Sequence, residues 1–428
     1  MVTEFAKMTI KRLLRGEKIT KDGLRAVLKT AIEGKLPVEH LTAFIVALNY
    51  RHLNIEEIVD LTEAMVETGN TYDFGPLTVD KHSIGGVPGN KVSLLIVPIV
   101  AASGLKIPKT SSRSITTVGT AERMEVLCPV DLEFEEVIEV VNKTNGCLIW
   151  PSGKAKIAPA DEIFIEIEHK LEINPIPLMI ASILAKKHAL GVKYMVLDLP
   201  VFTHKARRFS DAQRLANLFI NVCNKLGIRL EVAITYGGQP VGHAIGPVLE
   251  AKEALRVLEG ADSPKSLIEK SVELAGVLFE ITGKASYGQG REIALEILKS
   301  GKALKKMKEI IEAQGGNPKV KSEDLPEAKY KVDLVSDADG YVVRVNNEAL
   351  MEVARAAGVP QDYEAGLIIH KKVGKYVRKG EPLLTIYSNN EARLDRALSL
   401  ARELRPIIVE GMVISRISGI REQKEISE

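Results

Sequence analysis

The chain has 428 residues, of which 45% are hydrophobic and 27% charged, a soluble-globular composition that excludes a mainly disordered chain. At roughly 150 residues per domain, the length implies two or three domains. Its 58 Lys and Arg against 56 Asp and Glu leave a net charge of +2, so bulk charge makes no case for nucleic acid or an acidic membrane surface, and any anion site has to be built locally.

Along the chain, residues 1–66 read as short helices. Leu24, Val27, Leu28, Ala31 and Ile32 follow the spacing of one buried helical face. Gly34 and Pro37 mark a break, Leu41 to Leu48 is an apolar helix, and Asn54 with Glu57 is an N-cap pair opening a helix through Val66. From about residue 67, short apolar runs alternate with helical stretches: Thr78-Val-Asp, Lys91 to Ala102, Leu105 to Lys109, Tyr194 to Leu199 before a helix over 212–226, and Arg229 to Thr235 before Gly246 to Leu258. This is the βαβ rhythm of a mixed or parallel sheet with helices on its faces. Pro175 to Leu190 reads as a buried helix within an insertion that returns to the first lobe.

Residues 283–313 read as helices without sites, and Lys319 to Lys331 as a polar linker. Strand patterns then begin: Gly340-Tyr-Val-Val-Arg-Val, Ala365 to Lys371, and a strand-turn-strand over Val373 to Leu384, with a helix over Asn390 to Leu404. The expected fold is α/β with a helical lobe. Residues 1–66 and 158–190 form that lobe, 67–157 and 191–325 an α/β phosphate-binding domain, and 330–428 a C-terminal α+β barrel-sandwich-like domain. Cys128, Cys147 and Cys223 lie far apart, with no metal-ligand spacing, and read as packing thiols of a reducing cytoplasm. The apolar run Val92 to Leu105 is too short and interrupted to span a bilayer, and the N-terminus has no signal-peptide core. A soluble protein without a membrane partner is expected.

Two loops carry the chemistry. In Lys81-His82-Ser83-Ile84-Gly85-Gly86-Val87-Pro88-Gly89-Asn90-Lys91-Val92-Ser93, a short strand enters and an apolar helix leaves. Glycines let backbone N–H groups approach an anion, and the helix N-terminus, Lys81, Ser83 and Ser93 add charge and donors. The plain alternative is a glycine turn. The Walker spacing fails, because Asn90 separates Gly89 from Lys91 and Val92 stands where Ser or Thr is needed. Nor does the Rossmann spacing fit. The second loop, Ser111-Ser112-Arg113-Ser114-Ile115-Thr116-Thr117-Val118-Gly119-Thr120, crowds hydroxyls around one guanidinium, a donor set suited to phosphate oxygens; a solvated loop is its plain alternative.

These loops, with Ile176-Pro-Leu-Met-Ile-Ala-Ser182-Ile-Leu-Ala-Lys186-Lys187, Gln239-Pro-Val-Gly-His-Ala-Ile-Gly246 and Lys379-Gly-Glu-Pro-Leu, resemble the thymidine and pyrimidine-nucleoside phosphorylase family in order along nearly the whole chain. Pro88 in the first loop and the Ser-Ser-Arg-Ser-Ile-Thr second loop resemble that family's archaeal-type AMP phosphorylases. The resemblance implies phosphorolysis: phosphate attacks C1′ of a nucleoside 5′-monophosphate and the base leaves. AMP would give adenine and ribose 1,5-bisphosphate, with CMP and UMP as further substrates. It implies no cofactor and no metal, phosphate as co-substrate, and a homodimer or larger homo-oligomer. Pyrimidine-nucleoside phosphorolysis, or a low-activity nucleotide-binding relative, is the alternative.

By the same resemblance, Lys81, Ser83, Ser93, Ser111 and Thr120 match phosphate positions. Gly85, with Gly86 beside it, then Ser111, Ser112, Arg113, Ser114, Ile115, Thr116 and Thr120 match nucleotide positions, and Ser182 and Lys186 the base-contacting helix. Three departures stand out. Asn174 occupies the place of the family's proton-donor Asp, and an amide supplies no acidic proton. Pro200 is followed by Val201-Phe202-Thr203-His204-Lys205 instead of a glycine-rich turn, so Lys205 is a displaced match for the family lysine. The pattern's extra N-terminal domain has no counterpart here, consistent with a trimmed or a naturally shorter form.

Overall fold

The computed structural model describes residues 1–113, 118–201 and 209–413. Four helices open the chain: Val2–Leu14 (α1), Lys21–Ile32 (α2), Val38–Tyr50 (α3) and Ile55–Val66 (α4). The predicted cap of α4 is a full capping box. Asn54 Oδ1 accepts from Glu57 N at 2.9 Å, and Glu57 Oε2 accepts from Asn54 N at 3.1 Å. On α2, Leu24, Val27, Leu28 and Ala31 are buried as their spacing predicts, whereas Ile32, the last helical residue, is exposed.

The α/β rhythm runs through Val79–Ser83 (β1), Ser93–Ala102 (α5), Ile107–Thr110 (β2), Thr120–Glu125 (α6), Phe134–Thr144 (α7) and Gly146–Ile149 (β3). The insertion follows as Ala160–Leu171 (α8) and Ile176–His188 (α9). Both helices return to the first four, α8 against α2 and α3, α9 against α3 and α4, and Phe44, Phe164, Ala181 and Leu184 share one core. The chain continues through Tyr194–Val201 (β4), Phe209–Lys225 (α10), Arg229–Tyr236 (β5), Ala244–Ile245 (β6), Pro247–Leu258 (α11), Lys265–Ile281 (α12), Gly290–Lys299 (α13) and Lys302–Ala313 (α14).

β1, β4 and β5 pair in parallel in that order. β2 and β3 form another parallel pair, bridged to the first at Thr78 and Lys106. The interior strand β4 divides its side chains by alternation: Met195, Leu197 and Leu199 join the helical-lobe core, and Val196 joins the core beneath α5, α11 and α12. A parallel strand covered on both faces reads as a nearly continuous apolar run, which is why Tyr194 to Leu199 is legible in the sequence.

The C-terminal domain comprises Tyr330–Val335 (β7), Gly340–Val345 (β8), Asn347–Ala357 (α15), Gly366–Ile369 (β9), Tyr376–Val377 (β10), Pro382–Ser388 (β11), Glu391–Leu404 (α16) and Ile407–Glu410 (β12). It holds two sheets, β10-β8-β12 and β6-β9-β11-β7, each antiparallel in its pairings. The second sheet borrows β6 from the preceding domain. The stretch before β7 is strapped down rather than hanging as a linker: Glu259 accepts from Ser322 N at 2.9 Å and from Ser322 Oγ at 2.5 Å, and Leu325 is buried. Cys128, Cys147 and Cys223 are free and buried, and burial pushes the Cys223 thiol up to about 12, as packing residues require. Among the described residues no helix is long and apolar enough to cross a membrane.

Candidate active site

Alternation along β1 sends Lys81 and Ser83 to one face and Asp80 and His82 to the other. The chain then turns through Gly85 and Gly86 at φ +106° and +43°, and through Gly89 at φ +67°. At Gly89 a Cβ would stand 2.6 Å from Val241 O and 2.7 Å from Ala244 O, so only glycine lets this turn press against the segment before α11. Ser93 is buried as the first residue of α5. The first-turn N–H groups of Leu94, Leu95 and Ile96 are bonded to Lys91 O and Val92 O, so the helix start contributes the Ser93 hydroxyl more than the open donors expected of it.

Asp198 organises the end of β1. The parallel register sets it opposite Ser83, and its Oδ2 accepts from Ser83 Oγ at 2.6 Å. Its Oδ1 accepts from Thr235 Oγ1 at 2.5 Å, and Lys270 Nζ lies 2.9 Å away. Lys81 Nζ donates to Ser83 Oγ, as does Asn90 Nδ2 at 3.2 Å. Burial works against the Asp198 carboxylate, but Lys270 and Lys81 hold it below the usual range. Burial also pulls Lys81 down to about 7, against the attraction of Asp198. A lysine poised there is readily recharged by an arriving anion.

The second loop meets the insertion. Lys186 and Ser182 stand one turn apart on α9, hence on one face. Lys186 Nζ lies 3.3 Å from Ser182 Oγ, 3.3 Å from Ser112 Oγ and 2.5 Å from Asp161 Oδ2, and Ser112 Oγ also reaches Asp161 at 3.4 Å. Ser111 N bonds to Ile149 O at 3.0 Å, extending the β2–β3 pairing by one residue. Thr120 opens α6. Beneath both loops, Lys187 pairs with Asp80 at 2.5 Å and bonds Thr110 Oγ1 at 2.9 Å. Burial, with Lys109, Lys187, Lys186 and Lys81 around it, keeps the His82 imidazole neutral, well below its usual range. On α8, burial and the neighbouring Asp161 push the Glu168 carboxyl up to about 7.

Both loops thus leave the carboxyl ends of adjacent parallel strands, where open α/β sheets hold their ligands. Ile84 links the first loop to the helical lobe through its side chain, which shares a core with Ala181 and Ala185 of α9, while its N–H bonds to Asp198 O of β4 at 2.9 Å. Two of the candidate residues have surroundings that the sequence does not show. Arg113 does not present a free guanidinium. It forms a bidentate pair with Glu125, twelve residues on at the end of α6, at 2.6 and 2.7 Å, and lies 4.9 Å over the Trp150 ring. Asn174 is exposed, with Nδ2 3.8 Å from Met179 Sδ. Ser114, Ile115, Thr116, His204 and Lys205 lie outside the described residues.

Asp198, Thr235, Lys270, Asp161 and Glu168 escape a reading by motif, since each sits in an ordinary helix or strand pattern and acquires its partners from elsewhere in the chain. Asn90 lies inside the glycine-rich first loop and Lys187 at the end of the α9 motif, where adjacency to Lys91 and Lys186 is their one signal.

Models of known families match three successive stretches: a glycosyl transferase family helical bundle domain over residues 7–69, a glycosyl transferase family a/b domain over 75–304, and a pyrimidine nucleoside phosphorylase C-terminal domain over 341–407. The AMP phosphorylase of Methanospirillum hungatei is 49% identical over 417 residues, covering 96% of this chain and 80% of that protein. The AMP phosphorylase of Thermococcus kodakarensis is 47% identical over 414 residues, covering 96% and 82%. Among solved structures, anthranilate phosphoribosyltransferase from Thermus thermophilus matches with a TM-score of 0.59 at 19% identity, covering 72% of this chain and 99% of that one, a likeness of fold alone. With the helical bundle, the a/b domain and the C-terminal domain matched in order, and nearly half its residues shared with such relatives, the chain belongs to the glycosyl transferase family of the pyrimidine nucleoside phosphorylase type.

Proposed function

We propose that the protein is an AMP phosphorylase, a pentosyltransferase that converts AMP and phosphate into adenine and ribose 1,5-bisphosphate. The observation that carries this reading is the Lys186 node, in which one buried lysine on α9 meets Ser182 of its own helix, Ser112 of the second loop and Asp161 of α8. It brings a hydroxyl-rich loop suited to a phosphate ester beside a helix suited to a base. It does so in a chain 46–49% identical to proteins named AMP phosphorylase.

In this reading Lys81, Ser83 and Ser93 hold the attacking phosphate, and the described part of the second loop, Ser111, Ser112 and Thr120, takes the nucleotide. A phosphate oxygen forms the bond to C1′ as the bond to the base nitrogen breaks, through an oxocarbenium-like transition state. The departing base takes up the electron pair and needs a proton. Residues 1–66 with 158–190 form one wall of the cleft, and 67–157 with 191–325 the other. A homo-oligomer in a reducing cytoplasm completes the proposal, supported by the exposed apolar side chains Val2, Phe5 and Met8 on α1 and by the free cysteines.

The test is to mix protein and phosphate with AMP, CMP, UMP, adenosine, uridine and thymidine, and to quantify free base and sugar phosphate. Base released from AMP and not from adenosine is the expected result; release from pyrimidine nucleosides alone overturns it. A second reading, nucleotide binding with little turnover, is favoured by Asn174, and it predicts AMP binding without adenine release.

A further inference from the structure

The second loop is tied to the C-terminal domain at both of its described ends. At the first end, Arg113 is clasped by Glu125, and Glu125 Oε2 also accepts from the Tyr363 hydroxyl, which lies between α15 and β9. Arg113 Nη1 itself comes within 3.4 Å of that hydroxyl. At the other end, Val118 is buried in the core of the C-terminal domain with Ile245, Ala365 and Leu367. The tie closes on itself: Tyr363 O accepts from Val248 N at 3.0 Å at the start of α11, and Glu250 of α11 pairs with Arg123 of α6 at 2.5 Å. Burial and Glu125 push the Tyr363 phenol up to about 12, so it remains a donor across the working pH range. Hydrogen bonds to an ionised carboxylate are stronger than neutral ones, and a bidentate guanidinium pair adds a fixed direction.

We propose that Tyr363 and Glu125 are positioning residues through which the C-terminal domain holds Arg113, and with it the adjoining Ser111 and Ser112 of the second loop, in the geometry that binds the nucleotide. They touch no reacting atom; they fix Arg113 from behind. This rests on the reading of that loop as the nucleotide loop. The clamp makes the C-terminal domain part of the nucleotide site while leaving the phosphate residues on β1 untouched.

The chain has a single tryptophan, and Arg113 lies 4.9 Å over its ring, so Trp150 emission reports the position of Arg113 directly. The experiment compares the full-length protein with Tyr363→Phe and Glu125→Gln by titration with AMP, by titration with inorganic phosphate, and by Trp150 emission. Losing the phenol donor is expected to weaken AMP binding about three- to tenfold, and losing the carboxylate about tenfold or more. Phosphate affinity should stay within about twofold, and Trp150 emission should change in Glu125→Gln. Unchanged AMP affinity in both variants overturns the clamp, whatever the emission does. Equal loss of AMP and phosphate affinity also overturns it, since a general structural defect acts on both. Should the parent protein bind AMP yet release no adenine, the phosphorylase reading fails and the clamp is still decided by the titrations. Should it release adenine while both variants bind AMP normally, only the clamp fails.

Discussion

Position 174 puts an amide just before Pro175, the residue that caps α9, and α9 carries Ser182 and Lys186. A carboxyl there could protonate a departing purine, whereas an amide keeps only the shape and a hydrogen bond. Asn174→Asp is therefore expected to raise adenine release from AMP at saturating phosphate by at least about tenfold, the low end of general acid catalysis after discounting for imperfect geometry. If the parent is already as fast, the proton comes from elsewhere, and Glu168, whose carboxyl is pushed up to about 7, is the next group to change. Lys81 sets a pH dependence of its own. Its charged form attracts an anion, and that form declines above about 7. Sulfate, which stays a dianion across the range, should then inhibit less strongly by up to about tenfold per pH unit above that point. Lys81→Arg should flatten the profile, and a flat profile in the parent would remove Lys81 from the anion site.

Two elements carry costs of different origin. The capping box at α4 is local: Asn54 satisfies an N–H that the helix start leaves open. Asn54→Ala should cost about 1 kcal/mol in denaturant unfolding and leave turnover per folded molecule unchanged. The turn at Gly89 is not local. A side chain there meets two carbonyl oxygens of a segment about 150 residues away and is strained at φ +67°. The same two carbonyls accept from Lys91 Nζ, at 3.2 Å each. Gly89→Ala should cost more than about 2 kcal/mol, since strain and a displaced polar contact add. It should also weaken phosphate binding, because the first loop moves with it. A stable Gly89→Ala protein with normal phosphate affinity would show that the loop is not held at this point.

At the scale of the molecule, the C-terminal domain is not an appended module. β6 pairs with β9, Lys372 Nζ donates to Pro240 O at 2.6 Å, Asn347 Nδ2 donates to Gly237 O at 2.8 Å, and Val118 sits in its core. Backbone pairing and shared apolar burial across the boundary couple the unfolding of the two sides. Scanning calorimetry should therefore give one transition for the α/β and C-terminal domains together. A separate low-temperature transition that leaves the α/β domain folded would show that these contacts contribute little.

The sequence alone determined what depends on neighbours along the chain. Helical spacing marked α2, the Asn54–Glu57 pair marked the start of α4, a nearly continuous apolar run marked the buried parallel strand β4, and the glycines at 85, 86 and 89 marked a turn that backbone strain reserves for them. The family resemblance added the order of domains and the two loops, because those motifs are contiguous. Tertiary structure decided which charges meet. Asp198 reaches Ser83 only because β1 and β4 pair in parallel register. Lys186 reaches Ser112 only because the insertion folds back on the helical lobe, and Arg113 meets Glu125 and Tyr363 instead of standing free beside the loop. Charge pairing acts over a few ångströms of space whatever the distance along the chain. Contacts between residues 12 to 250 positions apart therefore leave no periodic trace in the sequence that would announce them.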